Sequence, residues 1–248
     1  PGSPDPAKYK NSSETPIYTK SKTLYGLNWA KADIVNANQV IVCEGYTDVI
    51  GFHRSGLPRA VATCGTAFTE DHVRLLKRYA SRVVLAFDAD NAGQGAAERF
   101  YEWEEKYQVE VSVAAFPQGK DPGEMALSDP AGLSKAIDAA KPFLGFRVGR
   151  VLDGKPAQSP EARARLGEAA MSVVNEHPNV NIRKLYAGQI AAQVGLPATD
   201  LVAVAERGTR RPQLQAARPK RQGERRENAE FVAIAVLVQS WDSIASWL

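Results

Sequence analysis

Short, nearly unbroken apolar runs alternate along this chain with longer stretches in which apolar side chains recur every three or four positions. Residues 39–43, 60–63, 82–87 and 109–116 are the short runs, and each predicts a strand. Residues 46–54, closed by Gly56, then 69–79 and 92–107 predict the helices between them, with Thr69 placed to cap the second. Strands that are apolar on both faces and joined by helices predict a parallel sheet with crossovers on its two sides. Strand order is not readable from the sequence.

After about residue 130 the period stays helical. Residues 131–139, 143–151, 161–176, 182–194 and 198–207 predict five helices punctuated by Pro156, Pro160, Pro178 and Pro197. Leu185, Tyr186, Ile190, Val194 and Leu196 are expected to face a small helical core. Ahead of the alternating region, residues 4–36 read as irregular, with an extended piece at 15–19 and a helix from Trp29. Residues 228–248 carry an apolar, helix-like run and two Trp.

At 248 residues, with 44% hydrophobic and 24% charged side chains, the chain can fill a real core. Two Cys exclude a disulfide scaffold and a Cys-based zinc ribbon within it. His53, His72 and His177 are too scattered for a metal motif. The longest apolar run, Phe231 to Val238, is far short of the roughly 18 to 20 residues that span a bilayer. No secretory signal is present, so the expected location is cytoplasmic, without membrane contact. The start Pro1-Gly2-Ser3 lacks a Met and reads as a tag-cleavage scar, so the chain is expected to be an excised fragment.

The net charge of +3 permits a polyanion partner without implying one. Its distribution says more. From Arg207 to Glu227 there are eight basic residues against two acidic ones, among Pro212, Pro219 and Gly223. This stretch reads as a solvated linker or as a phosphate-backbone contact. Near the front, Lys8, Lys10, Lys20, Lys22 and Lys31 lie among Tyr9, Tyr18 and Tyr25. That interleaving suits nucleic acid or nucleotides, and equally a solvated face.

The informative chemistry is where acids interrupt apolar strands. Glu44 directly follows the first strand, and Asp88 and Asp90 follow the third. In a parallel sheet both places fall at the carboxyl ends of strands, where open α/β folds hold their ligands. If those strands are neighbours, three carboxylates converge, and their repulsion calls for a cation. Oxygen-only donors select Mg2+ or Mn2+. Asp90-Asn91 could instead cap the next helix. Gly45, Gly65 and Gly93 allow sharp turns at the same edge, and Ala92-Gly93-Gln94-Gly95 opens a helix whose free N–H groups could meet a phosphate. Lys120-Asp121-Pro122-Gly123-Glu124 reads as a fourth acidic turn there. No convincing Ser-His-acid set exists, and Cys43 and Cys64 read as packing residues.

Taken together, Val42-Cys43-Glu44-Gly45-Tyr46-Thr47-Asp48-Val49, Cys64-Gly65-Thr66-Ala67, Phe87-Asp88-Ala89-Asp90-Asn91-Ala92-Gly93 and Lys120-Asp121-Pro122 resemble the TOPRIM domain. Lys8-Tyr9, Asn11-Ser12, Glu14-Thr15-Pro16, Lys20 and Leu24-Tyr25-Gly26-Leu27 resemble the strip that precedes it in bacterial replicative primases. Arg183 and Tyr186, before Ile190 and Leu196, resemble the helical subdomain of their RNA polymerase core. The resemblance spans roughly residues 6–205. It implies the end of a basic N-terminal subdomain over 1–36, a TOPRIM domain over 37–140 and a helical subdomain over 141–207. A basic linker over 208–227 and a helical segment over 228–248 would follow.

The resemblance further implies a DNA-directed RNA polymerase that makes short RNA primers on single-stranded DNA by metal-dependent nucleotidyl transfer. Glu44, Asp88 and Asp90 would be catalytic and, with Asp121, would hold two or more Mg2+ or Mn2+ ions. Asp48 and Glu124 would orient that cluster. Lys8, Tyr9, Asn11, Lys20 and Arg78 would face nucleotide or nucleic acid. Implied partners are the template, ribonucleoside triphosphates and the RNA primer. The replicative helicase and single-stranded DNA-binding protein would bind through regions mostly outside this chain, with 228–248 a candidate start of the helicase-binding part. The location implied is the replication fork at the nucleoid. Zinc is expected only in an N-terminal ribbon absent here, no organic cofactor is implied, and primer synthesis by this chain alone would be weak. One departure is Gly123, where many primases have a third-position Asp. Another TOPRIM enzyme, a nuclease or topoisomerase, and a non-catalytic nucleic-acid-binding protein are the alternatives.

Overall fold

The computed structural model describes residues 14–16, 18–86, 94–117, 120–154 and 158–207. The expectations for residues 1–13, for the basic linker and for the segment over 228–248 fall outside these. A 3-10 turn, Lys20–Lys22, leads to α1 (Leu27–Ala37). Then come β1 (Gln39–Cys43), α2 (Tyr46–Arg54), β2 (Ala60–Ala62), α3 (Glu70–Leu76), β3 (Arg82–Leu85), α4 (Gln94–Tyr107) and β4 (Glu110–Val113). Next are α5 (Pro122–Ser128), α6 (Pro130–Asp138), β5 (Lys141–Pro142) and α7 (Phe143–Leu152). The chain continues with α8 (Pro160–Val174), α9 (Val180–Val194) and α10 (Ala198–Arg207).

The sheet order is β2-β1-β3-β4-β5. The first four strands are parallel, as the pattern predicts, and β1 lies beside β3. The fifth strand was not foreseen: two residues, antiparallel to β4, with Lys141 opposite Val113. Two residues carry no periodicity, so nothing in the pattern announces it.

Period-two alternation assigns the strand side chains to two faces. Val40, Val42, Val83, Leu85, Val111 and Val113 face one core with α1, α3 and α4. Ile41, Cys43, Val84 and Ala86 face the other, with Phe52 of α2, Met125 of α5 and Leu133 and Ile137 of α6. The first core runs on without a break into the helical region through Phe143, Leu144, Val148 and Leu152 of α7. There Ala187, Ile190, Ala191 and Val194 form the buried stripe of α9, while Leu185 is 70% exposed. Leu185 is therefore not a core residue, contrary to the sequence expectation. It lies off the stripe that α9 turns inward.

A partly buried polar set gathers where α4, α7 and the turn after α8 meet. Arg147 pairs with Glu176 and donates to the Tyr101 hydroxyl at 3.1 Å, and the Tyr101 and His177 rings lie 4.8 Å apart. Arg183 donates to the carbonyls of His177, at 2.8 Å, and Ala205, at 3.0 Å. His72 and His177 are buried packing residues. No helix among the described residues is long and apolar enough to cross a membrane.

Candidate active site

Between β1 and β3 the strand order reverses, and such a switch point opens a crevice at the carboxyl ends of the strands. The ends are level. The Ala86 N–H donates to Val42 O at 2.8 Å, and the Ala114 N–H to Leu85 O at 3.0 Å. A cleft of about 870 Å3 occupies this edge. Glu44, Thr47 and Asp48 border it from the start of α2, Ala86 and Ala114 from the strand ends, and Lys120, Asp121 and Pro122 from the start of α5. Lys141 borders it from β5, and Phe146, Gly149, Arg150 and Asp153 from α7 and its end.

Local capping chemistry places the acids. Gly45 is the N-cap of α2, and Asp48, at the third helical position, reaches back so that Oδ2 accepts from the Gly45 N–H at 2.9 Å. The other oxygen of Asp48 accepts from the Gly123 N–H at 3.1 Å. Asp48 is therefore committed on both oxygens to two loops of the cleft. Burial pushes its pKa up from the ordinary Asp value; the Gly45 N–H pulls the other way, and the Asp121 charge adds to the rise. Asp121 caps α5, its Oδ1 accepting from the Glu124 N–H at 2.7 Å, and Pro122 supplies the first turn. What the sequence presents as an acidic turn is thus the start of a helix.

Gly123 sits between the two carboxylates. A Cβ there would lie 3.2 Å from Asp48 Oδ1 and 3.3 Å from Asp121 Oδ1. One turn further along both helices, a Cβ on Gly51 would lie 2.8 Å from the Ala126 Cβ. This second close approach keeps α2 on α5 and so keeps Asp48 on Gly123.

Glu44, Asp48 and Asp121 are brought to one cleft; Glu124 is one helical turn from the Asp121 cap. Asp88, Asp90, Lys8, Tyr9 and Asn11 lie outside the described residues. Among the described residues, no group of three or more His, Cys, Asp or Glu side chains is arranged to hold a metal ion. Lys20 does not line the cleft; the 3-10 turn that carries it is tied to α3, where the Thr69 hydroxyl donates to Ser21 O at 2.7 Å. Arg78 is also not there. It precedes β3 and stands beside Tyr79, 6.0 Å from its ring, because α3 carries the chain back to the amino edge of the sheet. Among the described residues, Lys120, Lys141 and Arg150 are the cations that line the cleft. The sequence reading missed them, and for Lys141 and Arg150 no local signal exists.

Among the described residues that line the cleft there are oxygen donors and no His or Cys. Cys43 is buried, its Sγ 3.2 Å from Val61 O, and burial pushes its thiol well up. Burial raises the Cys64 thiol as well. The donor set therefore suits a hard cation, and neither Cys lines the cleft.

Known proteins share this fold. Residues 41–126 match the model of the Toprim-like family, and residues 146–198 match that of the DnaB-helicase binding domain of primase. The DNA primase of Streptomyces coelicolor is 37% identical over 202 residues, which are 79% of this chain and 31% of that protein. The chain belongs to the bacterial DnaG-type primase family. The DNA primase of Campylobacter jejuni is 39% identical over 148 residues, 59% of this chain and 24% of its own length. The RNA polymerase domain of Mycobacterium tuberculosis primase DnaG, solved with double-stranded DNA, superposes with a TM-score of 0.69 at 33% identity, over 79% of this chain and 63% of that one. A DnaG primase catalytic domain bound to single-stranded DNA gives 0.58 at 30%, over 79% and 64%. The fold is thus the Toprim fold of primase catalytic cores. The chain spans about 31% of the length of the S. coelicolor relative. The helicase-binding match falls on α7 to α9, within the stretch expected from the sequence to be the helical subdomain over 141–207.

Proposed function

We propose that this chain carries the metal-binding half of a primase active site, and that it acts in DNA-directed synthesis of short RNA primers by nucleotidyl transfer. The observation that carries the reading is the adjacency of β1 and β3, which puts Glu44 and the end of β3 at one cleft with Asp121. Asp88 and Asp90 follow Ala86, itself a cleft residue, by two and four positions in sequence. Glu44, Asp88, Asp90 and Asp121 would hold Mg2+ or Mn2+, two ions or more. Such ions, when bound, favour ionisation of an attacking hydroxyl and stabilise charge on a phosphoryl group in flight.

The rest of the work is placement. Asp48 fixes the loops after β1 and before α5 relative to each other. Glu124 stands one turn into α5, where it can support the Asp121 carboxylate. Substrates in this reading are ribonucleoside triphosphates paired to single-stranded DNA, and the product is an RNA primer. Lys8, Tyr9, Asn11 and Lys20 would steer nucleotide or template from the N-terminal strip. A replicative helicase is the partner suggested for 146–198, with single-stranded DNA-binding protein a further partner at the fork.

The test is a Mn2+ titration of the wild type and of Asp88→Asn/Asp90→Asn, run beside primer synthesis on a single-stranded template with the full-length enzyme. Loss of both in the variant is expected. Equal Mn2+ binding by the two proteins would overturn the reading.

A further inference from the structure

The amino end of the sheet, a strand's length from the cleft, has a chemistry of its own. There the turn after α3 is fastened to the end of α1. Asn38 Nδ2 donates to Ser81 Oγ, and the Ser81 N–H donates to Asn38 Oδ1, both at 2.8 Å. Arg82 completes the joint, donating to Ala37 O at 2.7 Å and to Asn38 O at 3.2 Å. Cations gather on the surface so formed. Lys31 of α1 and Arg78 approach one ring, that of Tyr79, at 5.8 and 6.0 Å. Lys77 donates to Gln108 O at 2.8 Å, in the turn between α4 and β4. Lys31, Lys77 and Arg78 are exposed. Among the described residues none of the three is in an ion pair. Of the acids on the adjoining elements, Asp71 is held by Arg74, and Glu110 stands opposite Arg82 at the start of β4. Apolar surface accompanies the cations. Val35, one turn along α1 from Lys31, is 55% exposed, and the Tyr79 ring is half-buried.

We infer that Lys31, Lys77 and Arg78, with Val35 and Tyr79, form a second contact for single-stranded DNA, at the end of the sheet away from the acid cleft. The inference takes the single-stranded template from the reading above and adds a surface that holds it. Three cations without a carboxylate partner attract a phosphate backbone whatever its sequence. A duplex keeps its base faces stacked inside, whereas an unpaired strand bares them. Exposed apolar and aromatic groups beside cations therefore suit the unpaired strand. The five residues of β1 span about 17 Å at the usual rise per residue. One continuous strand can thus touch this surface and the cleft together.

The test is fluorescence anisotropy of a labelled oligo(dT) of about 30 nucleotides with the whole chain, over a series of salt concentrations. Lys31→Ala, Lys77→Ala and Arg78→Ala should each lower the slope of log affinity against log salt by about 0.7, and the triple variant by about 2. Lys31→Ala/Arg78→Ala removes no hydrogen bond among the described residues, so it gives the reading even if loss of the Lys77 bond unfolds the triple variant. Arg165→Ala, at an exposed cation of α8, should keep the wild-type slope. Mn2+ affinity should stay at the wild-type value in every variant, which separates this surface from the acid cleft. A wild-type slope in the double variant overturns the inference. So does an equal drop in Arg165→Ala, or an equal drop on a duplex of the same length. A wild type that takes Mn2+ but no oligonucleotide overturns this inference and leaves the metal site standing. One that takes neither overturns the reading of the cleft as well.

Discussion

Asp48 of α2 accepts the backbone N–H of Gly123 in α5 at 3.1 Å, across 75 residues of sequence. Its other oxygen takes the Gly45 N–H, so a single buried carboxylate joins the loop carrying Glu44 to the helix start carrying Asp121. Asp48→Asn keeps the shape but has one acceptor oxygen, and its NH2 opposes a second N–H. A loss of about 1–3 kcal/mol is expected in urea unfolding. Weaker Mn2+ binding should accompany it, because the two loops lose their tie.

Gly123 and Gly51 are the contact points of that helix pair. Gly51→Ala places a Cβ 2.8 Å from Ala126 and must spread α2 from α5, at a cost of about 1–3 kcal/mol. Gly123→Asp restores the third-position carboxylate of many primases but crowds Asp48 and Asp121. Its melting temperature should fall in EDTA and recover in part with Mn2+. A variant equally unstable with and without the ion would show that the added carboxylate does not reach the metal.

Arg147 and Glu176 are 19% and 12% exposed and lie beside Tyr101. Removing one partner leaves a half-buried charge. Arg147→Met should therefore cost about 1–3 kcal/mol, and Arg147→Met/Glu176→Gln should recover much of it. Chemical denaturation of the two variants measures the difference.

Glu104 in α4 accepts the Val111 N–H at 2.9 Å, yet burial pushes its pKa up to about 7. The folded state thus holds this proton more tightly than the unfolded chain, whose Glu titrates near 4.3. The protonated form's contribution is fully present below that pH and is lost as pH rises through about 7. Glu104→Gln can keep the Val111 bond and carries no charge. It should stabilise the protein at pH 8, with the gain fading towards pH 4.5. Urea midpoints at the two pH values read this directly.

The sheet was legible because each buried strand is an apolar run and each crossover a helical stripe. Glu44 could be placed because a residue directly after a strand stays at that strand's end. Arg78 could not, because the chain crosses the molecule between β2 and β3, and nearness in sequence is not nearness in space. Asp121-Pro122-Gly123 has the composition of a turn, yet an Asp followed by Pro is also a helix cap and first turn, and here the Asp121 carboxylate takes the Glu124 N–H and starts α5. Leu185 was misplaced because α9 turns small residues, Ala187 and Ala191, inward beside Ile190 and Val194. Lys141 and Arg150 were invisible because their position depends on a two-residue strand.

That strand has a mechanical consequence. Pro142 ends β5 and Phe143 begins α7, so no slack separates the sheet edge from the first helix of the bundle. A lever joined to its base without a hinge cannot swing independently. Any torque applied to the bundle must arrive at the mouth between Arg150 and Glu44 as a change of gape, or else shear the edge strand off β4.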